Sequence, residues 1–363
     1  GDPYDANELL KLQSDLGSTP YFSQVQVNAP PDAASATTPV EVELEPGKRY
    51  KYSAGLGYGT DTGARGKLKM EQRRINRRGH HAEEELLLSS IKSLIGVKYM
   101  IPGKNPTTDE YSLTAGYVDQ NYEQQDYELS TLGGGWRRQD GNWLKNFNLS
   151  YQYERYQSIN ADDSATTSSL LLIPSLNWTW IDADDRLNPT RGLLFGFELR
   201  GAATELLSDA TFAQGVLHLK GVYAFNDVSR IIARTDLGAT VIDQGIESLP
   251  TSLRFFTGGD ASVRGYAYNS IGPTDAEGDV IGGKNLLVAS VEYEHRVWDG
   301  WSLAAFVDSG DAFDGASPEM KTGVGLGVRW RSPVGPVRLD FASGLDQPPG
   351  DAFRFSFSIG PDL

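Results

Sequence analysis

The run Ser262-Val263-Arg264-Gly265-Tyr266 places one guanidinium inside a long glycine-rich stretch. An arginine there has two uses. It is an exposed loop cation, or its planar fork takes a carboxylate through paired, charge-assisted hydrogen bonds. The carboxylates to weigh lie downstream, Glu292 and Glu294 within Asn285–Val297 and Asp308 within Trp301–Gly310. That chemistry is recognition, without bond making. Covalent and metal chemistry find less support. His80, His81, His218 and His295 lack metal-ligand spacing. The Gly-x-Gly runs at 55–59 and 323–327 sit in alternating segments with no following helix, so they are not phosphate loops. No nucleophile elbow is visible. Neither enzymatic activity nor a cofactor is expected.

The chain has 363 residues, 40 of them glycine and none cysteine, and a net charge of -15. That balance argues against nucleic-acid binding, which needs a basic footprint. No run approaches the ~18 apolar residues of a membrane helix. A membrane β-barrel stays open, because only alternate residues must be apolar. Gly1-Asp2-Pro3 opens abruptly without a signal peptide, and a processed or truncated start is expected.

Two textures follow. In residues 1–46, Leu9, Leu10, Leu12 and Leu16 have helical spacing within Asp5–Leu16, and Tyr21–Val27 and Pro39–Leu44 read as strands. From Tyr50 the pattern is short alternating strands. Tyr52, Ala54, Leu56 and Tyr58 alternate with Ser53, Gly55 and Gly57, and Phe353, Phe355, Phe357 and Ile359 with Arg354, Ser356 and Ser358. The polar face carries full charges and many glycines, which suits a wet, curved interior. About sixteen strands of about ten residues are expected. Their starts fall near 50, 64, 79, 93, 110, 126, 145, 168, 193, 211, 230, 285, 301, 321, 337 and 352. The fold class expected is therefore an all-β transmembrane barrel of antiparallel strands. Trp136, Trp143, Trp178, Trp180, Trp298, Trp301 and Trp330 fall near turns on the side of the N-terminal unit, as an interfacial girdle would.

Ser262–Tyr266 resembles the VRG(F/Y) signature of outer-membrane insertases and transporters that carry polypeptide-transport-associated (POTRA) domains. Three more stretches resemble that family in order: Asp182–Gly192 (DADDRLNPTRG), Phe306–Gly310 (FVDSG) and Gly323–Pro336 (GVGLGVRWRSPVGP). The ending FRFSFSIGPDL is similar to the last strand of the TamA branch, the barrel subunit of the translocation and assembly module. The resemblance implies that residues 1–46 are the C-terminal part of the last POTRA domain, in the periplasm. Residues 47–363 would be an outer-membrane barrel of a Gram-negative cell, with a long inward loop at 243–284.

It implies further that the loop folds into the lumen. Strand parity points Leu303, Ala305 and Val307 to lipid and Asp308 inward, with Glu292 on the inward face of its own strand. The motif Val263, Arg264, Gly265 and Tyr266 would then meet a wall of Asp308, Glu292, Phe306 and Gly310. The closing seam would join Tyr52, Ala54, Gly55, Leu56 and Gly57 to Phe355, Phe357, Ile359 and Gly360, with Leu56 and Phe357, scanned over neighbouring positions, an example of a pair to crosslink. Glycine weakens that seam, and an unpaired edge templates another strand. The function implied is insertion of autotransporter-type β-barrel clients by lateral opening. Its partners would be those clients, a periplasm-spanning inner-membrane subunit, the lipid bilayer and lipopolysaccharide. The alternatives are a secretion transporter passing a partner through the lumen, or a passive porin. Asp162-Asp163 is a weaker candidate for divalent cations beside lipopolysaccharide, against plain solvation. His80-His81 beside Arg73-Arg74 and Arg77-Arg78 reads as a solvated or headgroup-facing turn.

Overall fold

The computed structural model describes residues 4–30, 37–122, 125–157, 166–185, 189–332, 335–348 and 353–359. Asp162, Asp163 and Gly360 lie outside the described residues, as do 1–3 and the 186–188 part of the DADDRLNPTRG turn.

The N-terminal unit is a helix, α1 (Ala6–Gly17), and a two-stranded antiparallel sheet of β1 (Phe22–Asn28) and β2 (Glu41–Pro46). Asp5 caps α1 by accepting a hydrogen bond from the Asn7 N–H at 2.8 Å, which satisfies one of the orphan donors of the first turn. Tyr21 ties the unit to the barrel, since its hydroxyl donates to the Gly79 carbonyl at 2.6 Å.

Sixteen antiparallel strands then close on themselves. They are β3 (Tyr50–Gly59), β4 (Gly63–Gln72), β5 (His81–Ser89), β6 (Lys92–Pro102), β7 (Asp109–Gln120) and β8 (Tyr127–Asp140). Next come β9 (Trp143–Gln157), β10 (Thr166–Ala183), β11 (Arg191–Ala202), β12 (Phe212–Asn226) and β13 (Ser229–Ile242). The last five are β14 (Asn285–Trp298), β15 (Trp301–Phe313), β16 (Lys321–Ser332), β17 (Gly335–Gly344) and β18 (Phe353–Ile359). Each expected start falls within two residues of the observed one, because turn residues and period-two alternation fix both.

The barrel is apolar outside and charged inside. Leu326 is 66% exposed and Phe341 65%, whereas Asp308 is wholly buried. A water-soluble barrel reverses this arrangement, so the exterior is the lipid face. No helix among the described residues is long and apolar enough to cross a membrane. Trp301 and Trp330, partners across β15 and β16, stack with centroids 5.2 Å apart at the end nearer the N-terminal unit. At the same end, Asp184 closes the turn between β10 and β11, accepting from the Thr190 hydroxyl and the N–H groups of Thr190 and Arg191. Those bonds hold its carboxyl down near about 2.

Candidate functional site

Residues 243–284 connect β13 to β14 and fold into the lumen. Antiparallel bridges Phe255–Gly283, Thr257–Ile271 and Thr274–Val280 give the loop its own frame. Val263, Tyr266 and Ile271 bury together against Val288 of β14. Lumen-facing side chains grip the loop elsewhere. The Gln214 amide donates to the Leu253 carbonyl at 2.8 Å, and Arg234 to the Ser262 carbonyl at 2.8 Å.

Arg264 sits at the centre. Its Nε donates to Asp308 Oδ2 at 2.7 Å and its Nη2 to Asp308 Oδ1 at 2.9 Å, a bidentate fork. Its Nη1 donates to Glu292 Oε2 at 2.5 Å. The guanidinium also lies 3.4 Å from the centroid of the Phe306 ring, a cation–π contact. Asp308 accepts two further bonds, from the Arg264 N–H at 3.1 Å and the Ser290 hydroxyl at 2.6 Å. The motif and all four expected wall residues are thus in one place. The sequence reading missed Arg329 and Asp340. Arg329 bridges Glu292 (3.0 Å) and Asp340 (2.7 Å), so two guanidiniums face three carboxylates. Parity places both on inward faces, of β16 and β17, as it does Asp308 on β15, but it does not bring them together.

Glycines make the space for this contact. The loop turns at Gly265, whose φ is +95°, a backbone state that favours glycine. A Cβ there would lie 2.7 Å from the Gly344 nitrogen. At Gly310 a Cβ would lie 3.0 Å from Val263 Cγ2, and at Gly323 it would overlap the Arg264 carbonyl oxygen. Gly323→Ala is therefore expected to lift the loop tip and destabilise the barrel by about 1–3 kcal/mol, as overpacking does. Gly215→Ala, where a Cβ meets nothing within 4 Å, is the control. Urea midpoints of the two variants that coincide would count against a wall shaped to the loop.

The seam lies beside this network. Among the described residues, β18 pairs with β3 at only two positions, Ser358↔Gly59 and Ile359↔Tyr58. Every other barrel ladder has at least seven pairs, the next shortest being β17 with β18. Thr60, in the β3–β4 turn, extends the seam: its N–H donates to the Phe357 carbonyl at 3.1 Å, and its hydroxyl accepts from the Phe357 N–H at 2.7 Å. Phe357 therefore lies opposite Thr60 and not opposite Leu56. Gly57 does abut β18, since a Cβ on it would lie 3.3 Å from the Ile359 carbonyl oxygen. Among the described residues, Tyr52, Ala54, Gly55 and Leu56 pair only with β4. Phe355 packs on Phe341 of β17, with ring centroids 5.0 Å apart.

Asp61, in the same turn, joins the seam to the loop. Its Oδ2 accepts the Asp260 N–H at 2.7 Å, and its Oδ1 lies 3.5 Å from Arg354 of β18. The Asp260 carboxyl is pushed up to about 7, first by burial and then by Asp61 and Asp340, against the pull of Ser356 and Arg354. A free aspartate titrates near ~4. The folded state therefore holds the proton more tightly, and the stability this contributes is complete below about pH 4 and lost as pH rises through about 7. The thermal midpoint is expected to fall between pH 5 and pH 8 in the wild type and to stay flatter in Asp260→Asn. Identical pH slopes would remove Asp260 from the seam's account.

Comparison with known proteins adds a family. The profile of the Omp85 superfamily domain matches residues 75–362. Outer membrane protein assembly factor BamA of Nitratidesulfovibrio vulgaris is 26% identical over 99% of this chain and 48% of its own length. The chain spans about half the length of the relatives it matches. In structure it is similar to BamA from Haemophilus ducreyi lacking POTRA domains 1–3, with a TM-score of 0.80 at 18% identity, covering 97% of this chain and 77% of that one. It also resembles CdiB from Acinetobacter baumannii, with a TM-score of 0.63 at 13% identity, covering 99% and 69%.

Proposed function

Since this chain belongs to the Omp85 superfamily, we propose that it assembles β-barrel proteins in the outer membrane of a Gram-negative cell, by strand exchange at the β3–β18 seam. The observation that carries this reading is the two-pair register of that seam. Among the described residues, Tyr50–Gly57 of β3 have backbone partners on β4 alone, and a free strand edge accepts another strand by backbone pairing. The incoming strand would come from a client outer-membrane β-barrel protein. No covalent chemistry is involved: the barrel exchanges hydrogen-bond partners and locally disturbs the bilayer. The pinned loop gives the lumen wall next to the seam a fixed shape.

The N-terminal unit, in this reading, is the end of the last POTRA domain and lies in the periplasm. The BamA name of the relatives supports an assembly role. The narrower placement in the TamA branch, with autotransporter clients and a periplasm-spanning inner-membrane partner subunit, rests on the ending FRFSFSIGPDL. Lipopolysaccharide and phospholipid would surround the barrel. The likeness to CdiB keeps secretion of a partner through the lumen as the second reading. The test is assembly of an unfolded barrel client by reconstituted protein whose seam is locked and then released. Assembly that survives locking would refute strand exchange here.

A further inference from the structure

Near the junction of the N-terminal unit and the barrel lies a groove of about 760 Å³. Its lining includes Arg74, Arg77 and Arg78 of the β4–β5 turn and Arg49, just before β3. Tyr21, Phe22, Pro46, Pro102 and Pro106 add apolar surface to the same groove. Tyr21 fixes the two halves together through its bond to Gly79.

The arginines here differ from those of the lumen. Arg230, Arg264 and Arg329 each sit within 3 Å of a carboxylate. Among the described residues, no carboxylate lies within ion-pair distance of Arg49, Arg74, Arg77 or Arg78. Acidic groups are not scarce, since the chain has 48 against 33 basic residues. All four are exposed to solvent, and together they set a positive field that an anion from outside the chain can neutralise.

The level of the groove identifies it. The β4–β5 turn is at the barrel end that carries the exposed Trp178, Trp298 and Trp301. Tryptophan favours the headgroup layer. A ligand there meets both phosphate-binding forks and apolar surface. Guanidinium forks match phosphate oxygens, and the Tyr, Phe and Pro wall suits a glycerol backbone and the first acyl carbons. We propose that this groove holds the headgroup of an anionic phospholipid from the leaflet next to the N-terminal unit. The lipid would join that unit to the barrel wall at the β4–β5 turn. The inference uses the membrane orientation above but does not depend on the assembly role.

The test is lipid retention by the full chain, purified in zwitterionic detergent and titrated with phosphatidylglycerol or phosphatidylcholine, read by native mass spectrometry. Phosphatidylglycerol should be retained and phosphatidylcholine should not. Arg74→Gln/Arg77→Gln/Arg78→Gln should lower retention at least about tenfold, since each basic group near a membrane contributes separately. The control is Arg138→Gln/Lys145→Gln/Arg155→Gln, with the same charge change at surface pairs. It should retain the lipid. Both variants are first shown to run as folded barrels before heating. Equal retention by the two variants overturns the proposal. So does displacement of the lipid by millimolar inorganic phosphate, which would make this a free-anion site. Displacement by a decaglutamate peptide more readily than by excess lipid would assign the groove to an acidic protein segment and also overturn it. Loss of client assembly with retention unchanged would bear only on the assembly role.

Discussion

Arg264→Ala lowers the unfolding free energy of the barrel by about 3–5 kcal/mol, the cost of stranding a buried charge. Asp308 is wholly buried and takes three of its four bonds from Arg264; the backbone one survives the substitution only if the loop stays in place. The cluster would be left with Arg329 alone against Glu292, Asp308 and Asp340. The Phe306 face would lose its cation as well. Arg296→Ala is the comparison, because Arg296 gives one charged hydrogen bond, to the Asp227 carbonyl at 2.7 Å, near the end of β14 that carries Trp298. Its loss should cost about 1–2 kcal/mol. Urea titration of barrels refolded in vesicles measures both. Arg264→Lys separates charge from shape: a lysine keeps the charge but cannot form the fork, so it should fall between wild type and alanine. Equal, small losses for Arg264→Ala and Arg296→Ala would mean that the loop is held by its packed residues and not by the arginine.

Locking the seam has the other large effect. Tyr58 and Ile359 are direct ladder partners, and antiparallel partners lie about 4.5–5.5 Å apart at Cα, within disulfide reach. With no native cysteine in the chain, Tyr58→Cys/Ile359→Cys forms a single defined bond. Client assembly should drop to the unassisted rate on oxidation and return on reduction. Val324→Cys/Ser343→Cys, which joins β16 to β17 at a register pair, should leave assembly unchanged. If the oxidised seam still assembles clients, strand exchange occurs elsewhere. If it passes a partner into the vesicle interior, the secretion reading takes over.

The barrel was legible because each strand carries its own evidence. Alternation and turn residues are local, and they located the sixteen strands. The Arg264 partners were legible to the extent that parity assigns a face: it pointed Glu292 and Asp308 inward. It does not say which inward residues come together, because that depends on the register between neighbouring strands and on loop depth. Arg329 and Asp340 were missed for this reason. The seam was hardest. Hairpin turns set the register of consecutive strands, but no turn joins β3 to β18, so the sequence leaves open which β3 residue meets Phe357, where Thr60 stands. Asp61 and Asp260 were invisible for the same cause, being brought together by the closed barrel alone.

The Thr60–Phe357 contact spans 297 positions. Bringing such distant segments together costs conformational entropy before any contact repays it. Hairpins form their ladders locally, so the β3–β18 join is the step that waits for all the others. Until it closes, the unfinished sheet is an open ribbon, and the long loop enters from the side without threading a finished ring. The molecule's own maturation thus ends on the opening and closing of one short join. A chain that halted one step before completion would already have the shape of a working intermediate.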